Sequence, residues 1–414
     1  MANVINTIKD GPGLFARGVA QTLKDNMVFC SFVEKADESD FDGKNGFKSG
    51  DTIYTSIPAR YIPQQDNFNI TSAISDSVEE KAPLVLNKSE SIGMSFDSLE
   101  LATDTDVANA LRRYGIPAAE SIAQNVEARC FEIAADATYN FTGTAGSNTF
   151  TVADVLASRT KLNQSLCRPG DRGLFMNSAS GAQAVDARSG LFQSSEKIAE
   201  QYEMGMVGMA DGFKWYETEL GSTHTNGNDV TGIEVSTTVS VEGQATLVVE
   251  GLTTTTGTVT KGTVFTIATV NSVHPITKAD TGRLQEFVVT ADATANGSGI
   301  ATISVSPAFY TSASDGLQNI TAFPADGDAI VIKTGAASTG YVQNLALHKS
   351  AFKMVTVPLV QPKGVDLVAS QTVDGITVNI VRDFDVRTRE MITRVDVLYA
   401  FDKVRPEWSC RLTA

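Results

Sequence analysis

Seven residues in this 414-residue chain carry an imidazole or a thiol that could hold a metal or move a proton: His224, His274, His348, Cys30, Cys130, Cys167 and Cys410. A zinc site needs cysteines or histidines in closely spaced pairs. None of the four cysteines shows that spacing, so they read as reduced, mostly buried thiols. His224 and His274 sit in turn-like contexts (STHTNG and NSVHPIT) and His348 in a strand-like one, which suits structural hydrogen bonding rather than ligation or base catalysis. Asp40 and Asp42 with Asn45 loosely resemble a calcium loop, but the glycine and the twelfth-position glutamate fall in the wrong places. Asp383 and Asp385 alternate along a strand and so share a face, with Arg382, Arg387 and Arg389 near enough to neutralise them. A salt-bridged sheet edge is expected there, not an acid–base pair. The glycines of EMGMVGMADG (203–212) follow a predicted helix, so they read as a capping turn and not a phosphate cradle. No HExxH, GxSxG or GxGxxG motif occurs. Nothing assembles a nucleophile, a base and an oxyanion donor. No catalytic residue, cofactor or metal is expected, and the job is structural or binding.

Composition narrows the class. With 42% apolar and 20% charged residues the chain is ordinary globular material. At this length it buries a core without disulfides or metals. A net charge of -15 argues against reading nucleic acid, which requires clustered Lys and Arg. It suits a protein kept soluble at high local concentration, or a wall that DNA slides past. Met1 to Lys24 lacks the basic start and apolar core of a signal peptide. No apolar run approaches the roughly 18 residues of a membrane span. The product is expected to act in the cytoplasm, away from membranes.

Pro12 can open a helix, and Phe15, Val19 and Leu23 recur behind it as a narrow apolar stripe. The acidic stretch from Glu34 to Asp42 and the glycines of 43–50 are expected to end it in a loop. Thr103 with Asp106 resembles a helix start, and Gly115 a stop. From Pro117 to about Thr138, Ile122, Val126, Cys130, Ile133 and Ala137 fall on one face, with Ala119 and Ala123 alongside. That predicts a helix of roughly 30 Å at 1.5 Å per residue. Thr151 and Asp154 cap another helix, RGLFMN (172–177) reads as a short buried strand, and helices are predicted near 178–187 and 194–203.

Two extended segments, 51–62 and 82–101, flank the polar stretch 63–81. About 20 structureless residues are uncommon inside a compact domain. They make sense if the hairpin projects and finds its burial on a neighbouring subunit. Phe68, Ile70 and Ile74 are the residues expected to pack there, with Glu79, Glu80 and Lys81 as polar contacts at the rim.

At Gly221 the texture changes to Thr, Val, Ser and Gly, with strand-like runs near 230–241 and at 246–250, 263–270, 284–290, 300–306 and 329–333. Glycine-rich turns separate them, the pattern of an all-β barrel or sandwich. The texture reverts at Tyr341, and 345–359 and 376–404 read as long antiparallel strands. Residues 222–340 are therefore taken as an inserted β domain in an α+β body, with body parts at 46–221 and 341–414.

Several segments together resemble the coat proteins of tailed bacteriophages, of the P22-type podophage branch that carries an insertion domain. They are GDTIYTSIPARY (50–61), VEEKAPLVLNKSESIGMSFDSLEL (78–101), GIPAAESIAQNVEARC (115–130), LFQSSEKIAEQYEMGMVGMADGFKWYE (191–217), TVFTIATVNSVHPITK (263–278), LALHKSAFKMVTVPL (345–359) and RVDVLYAFDKVRPEW (394–408). The resemblance implies the Hong Kong 97 capsid fold. By it, 1–45 is an N-terminal arm, 50–96 an extended hairpin over a neighbour, and 117–138 the spine helix of the peripheral domain. The axial domain takes in 178–220 and the strands after 341, and 222–340 is an inserted barrel-like domain on the outer surface. The implied function is a major capsid protein. Its copies form pentamers and hexamers of an icosahedral shell, with a scaffolding protein, a portal protein and a decoration protein as partners. The shell encloses double-stranded DNA without reading its sequence, in a virion assembled in the host bacterial cytoplasm. An encapsulin-like compartment shell shares the fold, and a surface adhesin using the β domain is the alternative of another class.

Overall fold

The apolar stripe behind Pro12 forms a helix, Gly11–Asn26, with Ala16, Val19, Ala20 and Leu23 fully buried. Gly18 inside it costs about 1 kcal/mol of helix propensity. Burial of Val19 and Leu23, at about 1.5–3 kcal/mol each, outweighs that. The computed structural model describes residues 11–35, 50–57, 80–97, 114–147, 149–187, 208–312, 317–360, 362, 364–387 and 390–413. The helices predicted from Thr103 and at 194–203 lie outside them, as do Asp40, Asp42, Asn45 and Arg389. The chain divides into two compact units: Met1–Ser56 with Lys81–Cys130 and Lys353–Asp402, and Ile57–Glu80 with Phe131–Phe352 and Lys403–Ala414.

The first unit is built on a six-stranded sheet in the order Glu34–Lys35, Phe352–Val357, Glu390–Lys403, Ile376–Asp385, Leu367–Val373, with Lys88–Asp97 also paired to Glu390–Lys403. Ile376–Asp385 and Glu390–Lys403 form an antiparallel hairpin closing at Asp385 opposite Glu390. The helix Gly11–Asn26 packs across Leu367–Val373 and Ile376–Asp385. The acidic segment expected as a loop begins instead with a strand, Glu34–Lys35, parallel to Phe352–Val357. A partner more than 300 residues away leaves no local signal, as Glu34 opposite Lys353 shows. The segment 82–101, expected as one extended run, divides at Leu86–Asn87. Glu80–Val85 pairs with Thr52–Ile57, and Lys88–Asp97 joins the main sheet from Lys88 opposite Tyr399 to Asp97 opposite Glu390.

On the side away from Glu390–Lys403 the pairing of Ile376–Asp385 ends at Arg382 opposite Leu367, so Asp383 and Asp385 lie beyond it on an edge left open among the described residues. Arg382 turns instead to Asp366 at 2.8 Å, and the Asp385 carboxylate accepts the Arg387 backbone N–H. The long helix runs from Ile116 to Ala137, passing along the chain from the first unit into the second. Gly115 is no stop, since residues 114–115 form a wide turn leading straight into this helix, with Pro117 in its first turn where a missing N–H costs nothing.

In the second unit a six-stranded sheet runs Phe141–Gly143, Ser409–Thr413, Asn344–His348, Arg172–Met176, Phe213–Glu217, Met209–Ala210. Arg172–Met176 and Asn344–His348 are buried at every position. Thr151 and Asp154 form a reciprocal capping box on the helix Val152–Gln164. Gly212, at φ +83, turns Met209–Ala210 back onto Phe213–Glu217, while Gly205 and the helix it was expected to cap lie outside the described residues. The texture from 222 produces a closed barrel in the order Ile233–Val235, Gln244–Glu250, Ala301–Phe309, Asp280–Val289, Val264–Val273, Ala329–Ile332. Its interior holds Leu247, Val249, Ile267 and Ile303, with Phe265, Phe287 and Phe309 in a contiguous aromatic row (centroids 5.8 and 5.0 Å apart).

Candidate assembly surfaces and the anchorage of the barrel

The structure places the residues expected at a subunit contact unevenly. Phe68, Ile70, Ile74 and Glu79 lie outside the described residues, while Glu80 and Lys81 open the strand Glu80–Val85 instead of belonging to a loop. The base of this ribbon is closed by two main-chain bonds, Gly50 N–H to Leu86 O (2.8 Å) and Leu86 N–H to Asp51 O (2.9 Å). Ile53, Leu84 and Leu86 point into a core with Val355, Val357, Leu398 and Ala400. Tyr54, on the other face, is exposed. One face of the ribbon is thus buried through Ile53 and Leu84 in the core of the first unit.

A second surface was not legible as a site. On the hairpin Ile376–Asp385/Glu390–Lys403 lies a trough of about 1080 Å³ whose lining includes Val360, Phe384, Val386 and Ile392. These are among the exposed large apolar residues, Val386 at 79%. Asp383, Asp385, Arg387 and the pair Arg394–Asp396 (2.7 Å) rim it with mixed charge. Large apolar side chains around one concavity are the pattern of an interaction surface.

Inside the second unit, ion pairs hold the barrel to the sheet. Lys161, on the helix Val152–Gln164, meets Glu286 of the barrel at 2.6 Å and also donates to Phe141 O. Glu286 in turn accepts the Phe141 N–H at 3.0 Å. Asp136 pairs with Lys261 at 2.8 Å. Between these pairs sits Arg411, wholly buried, donating from Nε to Thr138 O (3.1 Å) and from Nη2 to Gly262 O (2.6 Å). Burial pulls its pKa down to about 10 against the favourable field of Asp136, so it remains charged. Gly262 is required here. At φ +87, a Cβ would come within 2.6 Å of Asp136 Oδ1 and 3.0 Å of His224 Nδ1. Tyr139, Phe141, Val264 and Val288 seal the junction with an apolar cluster.

His224 belongs to this junction, its Nε2 3.1 Å from Asn226 Oδ1. Burial, then the charge of Arg411, depresses its pKa from 6.5 to about 4, so it is neutral at pH 7 and in no position to act as an acid. Because the unfolded chain takes up this proton first, stability should fall as pH drops from 6.5. The loss reaches about 3 kcal/mol in full below pH 4. The difference in urea midpoint between wild type and His224→Gln, followed from pH 7 to 4, measures it. It should shift progressively in the variant's favour on acidification, and a constant difference would refute the assignment.

The other candidates are structural too. The imidazole of His274 accepts the N–H groups of Ile276 and Thr277 at 3.3 and 3.2 Å, and that of His348 the N–H of Ser350 at 3.1 Å. All four cysteines are buried, free thiols. Burial pushes Cys410 up to about 12 and raises Cys167, and the hydrogen bond between Cys30 and Cys130, followed by burial, raises Cys30, so none of these three is a ready nucleophile. Among the described residues no group of three or more His, Cys, Asp or Glu is placed to hold a metal, and no helix is long and apolar enough to cross a membrane. One buried carboxylate gave no sequence signal: Glu127, on the long helix, accepts the N–H groups of Val28 and Phe29 at 2.8 and 3.1 Å. It ties the segment after the first helix to the long helix. Burial raises its pKa, against the lowering effect of those two N–H bonds.

The profile of a family described as "P22 coat protein - gene protein 5" matches residues 14–412. No curated protein matches the chain. Among solved structures it is similar to a protein of Mycobacterium phage Che8, at 11% identity over 93% of this chain and 90% of that one, with a TM-score of 0.41. It is similar to the capsid of Cyanophage P-SCSP1u at 9% identity over 94% and 90%, with a TM-score of 0.43. The "CUS-3 coat protein I-domain" matches at 28% identity over 26% of this chain and 99% of that one, with a TM-score of 0.19.

Proposed function

This chain belongs to the P22 coat protein family and is a structural major capsid protein with no enzymatic role, and we propose that it builds an icosahedral shell by the Hong Kong 97 plan. The observation that carries this reading is the family match from residue 14 to residue 412. It favours neither the encapsulin-like compartment nor the adhesin. In the proposed layout 1–45 is the N-terminal arm, and the hairpin beginning at 50 reaches over a neighbour. The helix at 117–138 is the spine of the peripheral domain. The axial domain takes in 178–220 and the strands after 341, and 222–340 is the insertion displayed outside. The ribbon fixed at Gly50, Asp51 and Leu86 supports the hairpin assignment, since it holds both ends of the intervening chain on one base.

Phe68, Ile70 and Ile74 would then pack on the adjacent subunit, with Glu79, Glu80 and Lys81 at the rim. The trough at Phe384, Val386 and Ile392 offers apolar surface of the kind such packing requires. Pentamers and hexamers would form around a scaffolding protein with a portal at one vertex and, on the outside, a decoration protein. The closed shell would enclose double-stranded DNA without sequence-specific contacts, all within the host bacterial cytoplasm. Purified full-length protein, supplied with a scaffold, should give closed shells or aberrant sheets and tubes by light scattering and negative-stain microscopy. A stable monomer at every protein and salt concentration would overturn the proposal.

A further inference from the structure

One recess in the second unit gathers cations. The chain carries 48 acidic against 33 basic residues, yet a recess of about 310 Å³ in the second unit is lined by Arg159, Arg172 and Lys214 with Asp171 as its single acid. Among the described residues no carboxylate pairs with any of the three cations. Arg172 is only 4% exposed. Its Nε and Nη2 donate to Arg168 O and Cys167 O at 3.0 and 2.6 Å, which fixes the guanidinium without neutralising it. Arg159 lies over Gly212, where a Cβ would stand 3.5 Å from its Nε. Pro169 and Met209 form apolar walls, and Met209 is 69% exposed.

Three cations against one acid, with no ion pair between them, leave a net positive recess, and an incoming anion relieves the repulsion among the cations. Arginine's planar fork suits a carboxylate, which it grips with paired N–H donors. Two observations favour a protein carboxylate over a nucleic-acid phosphate. The exposed methionine and the proline beside the cations would cover the aliphatic stem of an acidic side chain, and a phosphate has no such stem. A coat protein also meets copies of itself, and every copy of this chain brings a surplus of acids. We propose that the recess receives an acidic side chain of a second copy of this chain, its carboxylate held among Arg159, Arg172 and Lys214. This contact rests on the capsid reading and gives it a polar specificity element alongside the apolar ones.

The test uses the full chain and compares wild type with Arg159→Glu/Lys214→Glu. Both substituted side chains are exposed, so subunit melting should be unchanged. The protein concentration at which shells appear should rise about tenfold or more. Should the double Glu variant fail to fold, Arg159→Gln/Lys214→Gln removes the charges without reversing them and should raise the threshold less. Assembly at the wild-type threshold by a folded variant overturns the proposal. So does a gel shift in which wild-type subunits retain a fluorescent duplex oligonucleotide and the Glu variant releases it, since the ligand is then a phosphate backbone. If wild type forms no shells under any condition, the capsid reading itself has failed and the proposal goes with it.

Discussion

Replacing residues 59–78 with a two-residue Asn-Gly turn should leave the subunit's thermal unfolding nearly unchanged and abolish shells. The replacement keeps both strands of the ribbon, Thr52–Ile57 and Glu80–Val85, and the bonds of Leu86 to Gly50 and Asp51 that close its base. The buried residues Ile53, Leu84 and Leu86 also stay, so the first unit loses none of this core. Asn-Gly is the favoured two-residue connection for such a ribbon. What disappears is Phe68, Ile70 and Ile74. Exposed polar pairs at a rim contribute about 0–1 kcal/mol. Three apolar side chains buried on a neighbour contribute about 1.5–3 kcal/mol each. Since 1.4 kcal/mol is a factor of ten, their joint loss raises the assembly threshold beyond reachable concentrations. Calorimetry of the subunit and light scattering of the assembling mixture separate the two effects. Normal shells from the shortened chain would remove the hairpin from the assembly mechanism, and a chain that fails to fold would show that 59–78 belongs to the subunit's own core.

Arg411→Ala should be the most damaging single substitution in the second unit. It strips the donors from Thr138 O and Gly262 O and opens a cavity where a large side chain was wholly buried. The acids facing it, Asp136 and Glu286, keep only Lys261 and Lys161. Breaking a buried charged contact on one side costs about 3–5 kcal/mol. For a unit of this size that lowers the melting temperature by about 10 °C. Arg411→Lys keeps the charge but loses the fork that reaches both carbonyls, and should fall between the two. Circular dichroism melts of the three proteins decide the matter, and an alanine variant within 2 °C of wild type (about 0.5–1 kcal/mol) would show the junction to be dispensable.

What could be read from the sequence is what repeats locally. The six barrel strands announce themselves because Val and Thr alternate between glycine turns, and the capping box needs only Thr151 and Asp154 three residues apart. The long helix was placed to within one residue at each end by its apolar spacing. What escaped depends on partners far along the chain. Glu127 looks like one more charge on a helix until Val28 and Phe29 are folded against it. Arg411 stands in a strand buried at every position, where alternation gives no warning that a charge is inside. The exposed apolar trough was invisible for the converse reason: Phe384 and Ile392 look like core residues in a strand pattern, and only the folded sheet leaves them uncovered.

The barrel is closed, the first sheet stops at one end on the two-residue strand Glu34–Lys35, and the second stops on Phe141–Gly143 and Met209–Ala210. Short terminal strands and closure are how natural proteins deny other chains a main-chain template. For a protein that must crowd against its own copies, the hazard is amyloid-like stacking, in which each newcomer pairs its backbone and never lets go. Among the described residues the longest rows left open on the first sheet are Lys88–Asp97, ten residues paired only to Glu390–Lys403, and Leu367–Val373, seven residues. Copies that recognise one another through side chains avoid that hazard. Such contacts are individually weak, so a misplaced subunit can leave before the error is locked in.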